Sequence, residues 1–208
     1  MVHLIAEDIG HRFGRRVLFR ALGFSLRSGE ALAVTGPNGS GKSTLLSIVA
    51  GLRRPVRGRV RLEHGGTVVA DEDRPLRTGL VAPYLNVYDG FSARENLAFI
   101  ARARRLPQAE ARIRALLDLV GLAGRGDDRV ATYSSGMKQR VRFAAALLPE
   151  PPLLLLDEPT SNLDEAGRAM VVRVMAHHRE RGGVLLLATN NPEETAWCDR
   201  VLRVDAFR

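Results

Sequence analysis

The chain has 208 residues, 45% of them apolar and 26% charged, the make-up of an ordinary globular protein large enough to bury a core. One cysteine, Cys198, excludes a disulfide scaffold. No apolar run approaches the roughly 20 residues of a membrane span, and the amino terminus does not read as a secretory leader. Lys and Arg number 31 against 23 acidic residues, a net charge of +8, with Lys42 and Lys138 the only lysines. The arginines are scattered, with no interleaved aromatics, so they read as solvated surface and no nucleic-acid partner is expected.

The first 30 residues, with Val17, Leu18, Leu22, Phe24 and Leu26, read as short strands joined by turns. Four apolar runs follow along the chain: Ala31–Thr35, 153–156, Val184–Ala188 and 201–204. Their lack of polar alternation suits strands covered on both faces of a parallel sheet. Residues 58–62 and 67–70 read as a hairpin about Gly65-Gly66.

Directly after Ala31–Thr35 comes Gly36-Pro37-Asn38-Gly39-Ser40-Gly41-Lys42-Ser43, which fits G-x-x-x-x-G-K-S in full, and then Thr44 in a helical run that stops at Gly51. The glycines let successive backbone N–H groups turn inward around a phosphate, and the following helix adds its positive end. Lys42 can reach terminal phosphates, and the Ser43 hydroxyl can ligate Mg²⁺.

From residue 92 to 148 the period is helical. Ile113, Leu116, Leu117 and Val120 form one apolar stripe stopped by Gly121, and Met137, Val141, Ala144 and Leu148 form a second, ended by Pro149, Pro151 and Pro152. The run 153–156 then delivers Asp157 and Glu158 to the carboxyl edge of the sheet, where ligands bind in open α/β folds. Asp157 suits a Mg²⁺ shell and Glu158 a general base for water. The five histidines, His3, His11, His64, His177 and His178, share no metal-site spacing and read as surface residues. The expected fold is α/β: a core of residues 1–82 and 150–208, a parallel sheet with flanking helices plus an antiparallel β subdomain, interrupted by a helical subdomain at 83–149.

The phosphate loop, then Ser134-Ser135-Gly136-Met137-Lys138-Gln139-Arg140, then the strand ending in Asp157-Glu158, then Ser161-Asn162-Leu163-Asp164 occur in that order. Over essentially the whole chain this resembles the ATP-binding subunit of an ATP-binding-cassette transporter, and is most similar to the small haem-exporter type of cytochrome c maturation, with small drug and lipid exporters as alternatives. The resemblance implies a P-loop core that binds ATP and Mg²⁺, hydrolyses ATP, pairs head to tail with a second copy and docks on a separate transmembrane permease at the cytoplasmic face of the inner membrane.

It also implies roles for particular residues. Ser134, Ser135, Gly136 and Gln139 would face the nucleotide of the partner copy, although Ser134 or Ser135 could equally serve as a plain helix cap. Ser135 stands where the usual residue is glycine. Phe13 sits where an aromatic stacks on adenine, unless it is core. Asp164 matches an acid at the dimer interface, and Glu95-Asn96-Leu97 starts a segment near the permease. Tyr84, Val87, Tyr88 and Phe91 form a socket for it, unless they are buried in the helical lobe. Two departures stand out. Pro83 replaces a usual glutamine, and Asn190 replaces a histidine at the γ-phosphate, which it can bond but with no proton charge to carry. A nucleotide switch that does not hydrolyse is the alternative they suggest.

Overall fold

The computed structural model describes residues 1–161 and 163–208. Five parallel strands form the central sheet: β3 (Ala31–Thr35), β6 (Thr78–Val81), β7 (Leu153–Asp157), β8 (Val184–Ala188) and β9 (Arg200–Arg203), in the order β6-β7-β8-β3-β9. Leu155 pairs with Leu186 and Leu32 with the same residue from the other side, so the leucine-rich runs stack in register. Their unbroken apolarity has a plain cause. Alternate side chains point to opposite faces, and both faces are covered. Leu154, Leu156, Leu185 and Leu187 join the core under the helices, whereas Leu153, Leu155, Val184 and Leu186 join a second core under the antiparallel sheet. Each fully buried leucine contributes about 2 kcal/mol.

The antiparallel sheet has the order β2-β1-β4-β5, built from β1 (Val2–Phe13), β2 (Arg16–Arg27), β4 (Arg57–His64) and β5 (Thr67–Val68). The first 30 residues are therefore two 12-residue strands and not several short ones. The pairing slips in register near Asp8, and both Asp8 and Ala21 hold positive φ. These bulges break the alternation that would have revealed long strands. The hairpin at Gly65-Gly66 forms as expected, but β5 ends at Val68. Strand β9 starts one residue earlier than its apolar run, and residues 204–207 close into a 3₁₀ turn. Strand β6 gave no sequence signal, because Gly79 weakens its strand character and packs its bare Cα side against the Ala146 carbonyl.

Helix α1 (Lys42–Val49) follows the glycine-rich loop. Between β6 and β7 lie α2 (Ala93–Ala103), α3 (Ala109–Leu119) and α4 (Ser135–Leu147). Ser92 and Glu95 make a reciprocal capping box that starts α2, and Gly121 ends the α3 segment at φ 72°. Both expected stripes face inward, with Met137 half-buried. The chain closes with α5 (Glu165–Glu180), β8, α6 (Pro192–Thr195) and β9. Two histidines are not surface residues. His11 lies under Phe13 and Phe19, and His178 packs against Gly183 and bonds the Val184 carbonyl at 3.0 Å. Each occupies an inward position of an element whose neighbours are apolar, which spacing between histidines does not reveal. No helix among the described residues is long and apolar enough to cross a membrane.

Candidate functional site

The carboxyl ends of β3, β6, β7 and β8 lie side by side. They present residues 36–41, Pro83, Asp157-Glu158 and Thr189-Asn190 along one edge. The glycine-rich loop curls because Gly39 and Gly41 hold φ of 75° and 110°, and a Cβ on Gly41 would come within 3.0 Å of the Phe19 ring. The Ser40 amide bonds the Pro37 carbonyl at 3.0 Å, which tightens the curl.

Lys42, the first residue of α1, is buried. Its ammonium donates to the Gly36 carbonyl at 2.9 Å and to the Asn190 side-chain oxygen at 2.8 Å. Asn190 in turn donates to the Asn38 side chain at 2.5 Å. Asp157 is buried at the end of β7. Burial pushes its carboxyl above the usual range, and the Glu158 charge adds to that; the Ser43 side chain and the Lys42 charge pull it back. Glu158 is half-buried with φ 46°, a conformation that turns it out of the strand, and its amide bonds the Ala188 carbonyl at 2.9 Å. A non-glycine residue in that region is held there by its surroundings.

A cleft of about 560 Å³ gathers Phe13, Arg16, Lys42, Ser43, Thr44 and Glu158. Phe13 is 46% exposed, so it is not core; the Arg53 guanidinium lies 5.1 Å from its ring centroid. Pro37, Asn38 and Gly39 are exposed along the loop. The Ser43 hydroxyl and the Asp157 carboxylate are hard oxygen donors side by side, a set that fits Mg²⁺ with most of its shell left for phosphate and water.

The remaining expected residues stand outside this cleft. Ser134 caps α4 by accepting from the Met137 amide at 3.2 Å, and Ser135 and Gly136 sit in the first turn with Ser135 exposed. Gln139 does not present its amide to solvent. It is buried and donates to the Pro159 carbonyl at 3.3 Å, within its own chain. Asp164 is exposed and caps α5 through the Gly167 amide at 2.7 Å. Asn162 lies outside the described residues. Tyr84, Tyr88 and Phe91 are 56%, 60% and 42% exposed, so the helical lobe does not bury them.

Two arginines join the site from outside every motif: Arg16, which donates to the Gly39 carbonyl at 2.9 Å, and Arg53 behind Phe13. Neither carries a local signal among so many scattered arginines.

A parallel sheet with a glycine-rich loop running into a helix at its carboxyl edge defines a P-loop nucleotide hydrolase. Residues 19–161 match the family model described as ABC transporter. The cytochrome c biogenesis ATP-binding export protein CcmA of Mesorhizobium japonicum is 40% identical over 195 residues, covering 92% of this chain and 93% of that protein. The linearmycin resistance ATP-binding protein LnrL of Bacillus subtilis is 34% identical over 207 residues, covering 97% of this chain but only 66% of that protein. A solved structure of the ATP-binding subunit of an ABC transporter superposes with a TM-score of 0.84 at 29% identity, covering 97% of this chain and 86% of that one. The chain belongs to the ABC transporter family, as an ATP-binding subunit with ATPase activity.

Proposed function

We propose that two copies of this chain close head to tail around two ATP molecules and reopen after hydrolysis, driving a separate membrane permease. The observation that carries the reading is the cleft that brings Phe13, Asn38, Gly39, Gly41, Lys42, Ser43 and Glu158 together, with Asn190 bonded to Lys42 from the adjoining pocket that Gly36 and Pro37 also line. In this reading Phe13 supports the adenine ring, while the amides of residues 36–44 and the Lys42 ammonium hold the phosphates. Glu158 orients a water and accepts its proton, and Asn190 bonds the γ-phosphate. Ser43 and Asp157 would hold Mg²⁺, which would neutralise phosphate charge. Ser134, Ser135 and Gly136 close on the partner's nucleotide, with Asp164 at the same interface. The helical subdomain, 83–149, carries Ser134, Ser135 and Gly136. Gln139 serves that helix from inside its own chain.

The permease docks at the exposed aromatics Tyr84, Tyr88 and Phe91, beside half-buried Val87 and the start of α2 at Glu95-Asn96-Leu97. The subunit then works at the cytoplasmic face of the membrane. Haem export for cytochrome c biogenesis is the cargo reading we favour, supported by the full-length likeness to CcmA. The likeness to LnrL favours export of a drug-like or lipid-like molecule as the second reading. Affinity capture of this chain from its native membranes, followed by identification of the bound membrane protein, tests both. Loss of haem-bearing c-type cytochromes in a strain lacking this chain supports the first, and normal cytochromes with altered drug tolerance support the second. Recovery of a soluble ribosomal or nucleic-acid complex in place of a membrane protein overturns both.

A further inference from the structure

We propose that Glu194 is a positioning residue for hydrolysis, holding the segments that carry Glu158 and Asn190 in one fixed relation. This rests on the reading that Glu158 and Asn190 act at the γ-phosphate. Glu194 lies in α6 and is only 3% exposed, a rare condition for a carboxylate. One of its oxygens receives two hydrogen bonds. The Thr160 hydroxyl donates to it from two residues beyond Glu158, and the Asn191 side-chain amide donates to it at 3.4 Å from the residue after Asn190. The other oxygen has no partner among the described residues. Leaving half a carboxylate unpaired in the interior costs stability, so packing alone does not account for a glutamate here.

Each residue after Asp157 is anchored from a different element. The Glu158 amide is held by the Ala188 carbonyl of β8, the Pro159 carbonyl by Gln139 of α4, and the Thr160 hydroxyl by Glu194 of α6. Glu158 keeps its left-handed backbone, φ 46°, between the first of these anchors and the other two. On the other side, four bonds fix Asn191: its amide donates to the Thr189 hydroxyl at 2.9 Å, its side-chain oxygen accepts from the Glu193 amide at 3.0 Å, its carbonyl accepts from the Glu194 amide at 3.2 Å, and its side-chain nitrogen donates to the Glu194 carboxylate. Thus one carboxylate oxygen adds a side-chain tie, beyond the pairing of β7 with β8, between the chain carrying the water-orienting group and the chain carrying the phosphate contact. It touches neither substrate nor the reacting atoms.

The test separates acceptor geometry from mere packing. Glu194→Leu and Thr160→Val remove the bond, whereas Glu194→Gln and Thr160→Ser keep an acceptor and a donor. The expected result is a fall in kcat of about 10-fold or more for Leu and Val, since small misplacements of reacting groups cost that much. KM for ATP should stay within about twofold, the Gln and Ser variants should recover most of the rate, and the Leu/Val double variant should be no slower than either single one. Unchanged kcat, a KM that rises as much as kcat falls, or Gln and Ser variants as slow as Leu and Val would overturn the proposal. Should Leu or Val fail to fold, as seen by thermal melting, Thr160→Ala, which removes the donor without adding bulk, decides: a kcat about 10-fold or more below wild type at unchanged KM supports the tie, and a smaller loss refutes it. Glu158→Gln also separates the two layers. If it hydrolyses ATP normally, the underlying reading of the site fails; if it is inactive while Glu194→Leu is unaffected, only the positioning role fails.

Discussion

Asn190 accepts a hydrogen bond from the Lys42 ammonium at 2.8 Å and passes one on to Asn38 at 2.5 Å, so a neutral amide clasps the phosphate loop to the end of β8. An amide can donate and accept at once but does not titrate, whereas a histidine at this position would. Asn190→Ala should slow hydrolysis by roughly 10²-fold, the scale for removing one preorganised donor. Asn190→His should make the rate depend on pH below about 6.5, the ordinary histidine range, displaced downward by the Lys42 charge beside it. A series of kcat measurements from pH 5.5 to 8.5 on wild type and Asn190→His checks this. Superimposable profiles would show that position 190 does not reach the reacting phosphate.

Among the described residues Lys42 donates to a carbonyl and an amide, not to a carboxylate. Its positive charge is therefore left to meet the ligand. Lys42→Ala should weaken ATP binding by at least about 10²-fold, because a buried charge-assisted contact contributes a few kcal/mol. Titration with a fluorescent ATP analogue measures the loss, and an affinity equal to wild type would remove Lys42 from the site.

Glu158→Gln keeps the shape of the side chain and removes the proton acceptor. With ATP bound and hydrolysis blocked, the closed pair should persist. Sizing chromatography with light scattering should show a dimer with ATP and a monomer without it. A monomer at saturating ATP would contradict the sandwich arrangement.

Much of the fold is legible in the chain because its signals are local. The phosphate loop needs its glycines where φ is positive, and the leucine runs of β7 and β8 have no other place than between two covered faces. What was not legible depends on distant partners. Strands β1 and β2 hide behind bulges, and β6 consists of Thr78, Gly79, Leu80 and Val81, whose strand form comes from pairing with β7. In the site, the motif residues could be read off in order, but which of them share a cleft could not. Gln139 turns inward to Pro159, and Arg16 reaches Gly39 across 23 residues of sequence. Glu194 meets Thr160 across 34 residues, with nothing in either segment to signal it.

His178 gives the fold an acid-sensitive point remote from the nucleotide cleft. Burial pushes its pKa down to about 4, with the charges of His177 and Arg181 acting in the same direction and the bond to the Val184 carbonyl opposing them. In the unfolded chain it titrates near 6.5, so between about 6.5 and 4 the unfolded state binds the extra proton. Stability from this residue is therefore complete above pH 6.5 and falls as the pH drops toward 4, by about 3 kcal/mol in all. His178→Gln keeps an amide that can bond Val184 and removes the titration. Urea unfolding at pH 7.5 and 4.5 should show the wild type losing clearly more stability than the variant over that interval. Equal losses in the two proteins would mean that His178 is protonated in the folded state at the same pH as in the unfolded chain, and that its buried position carries no proton linkage.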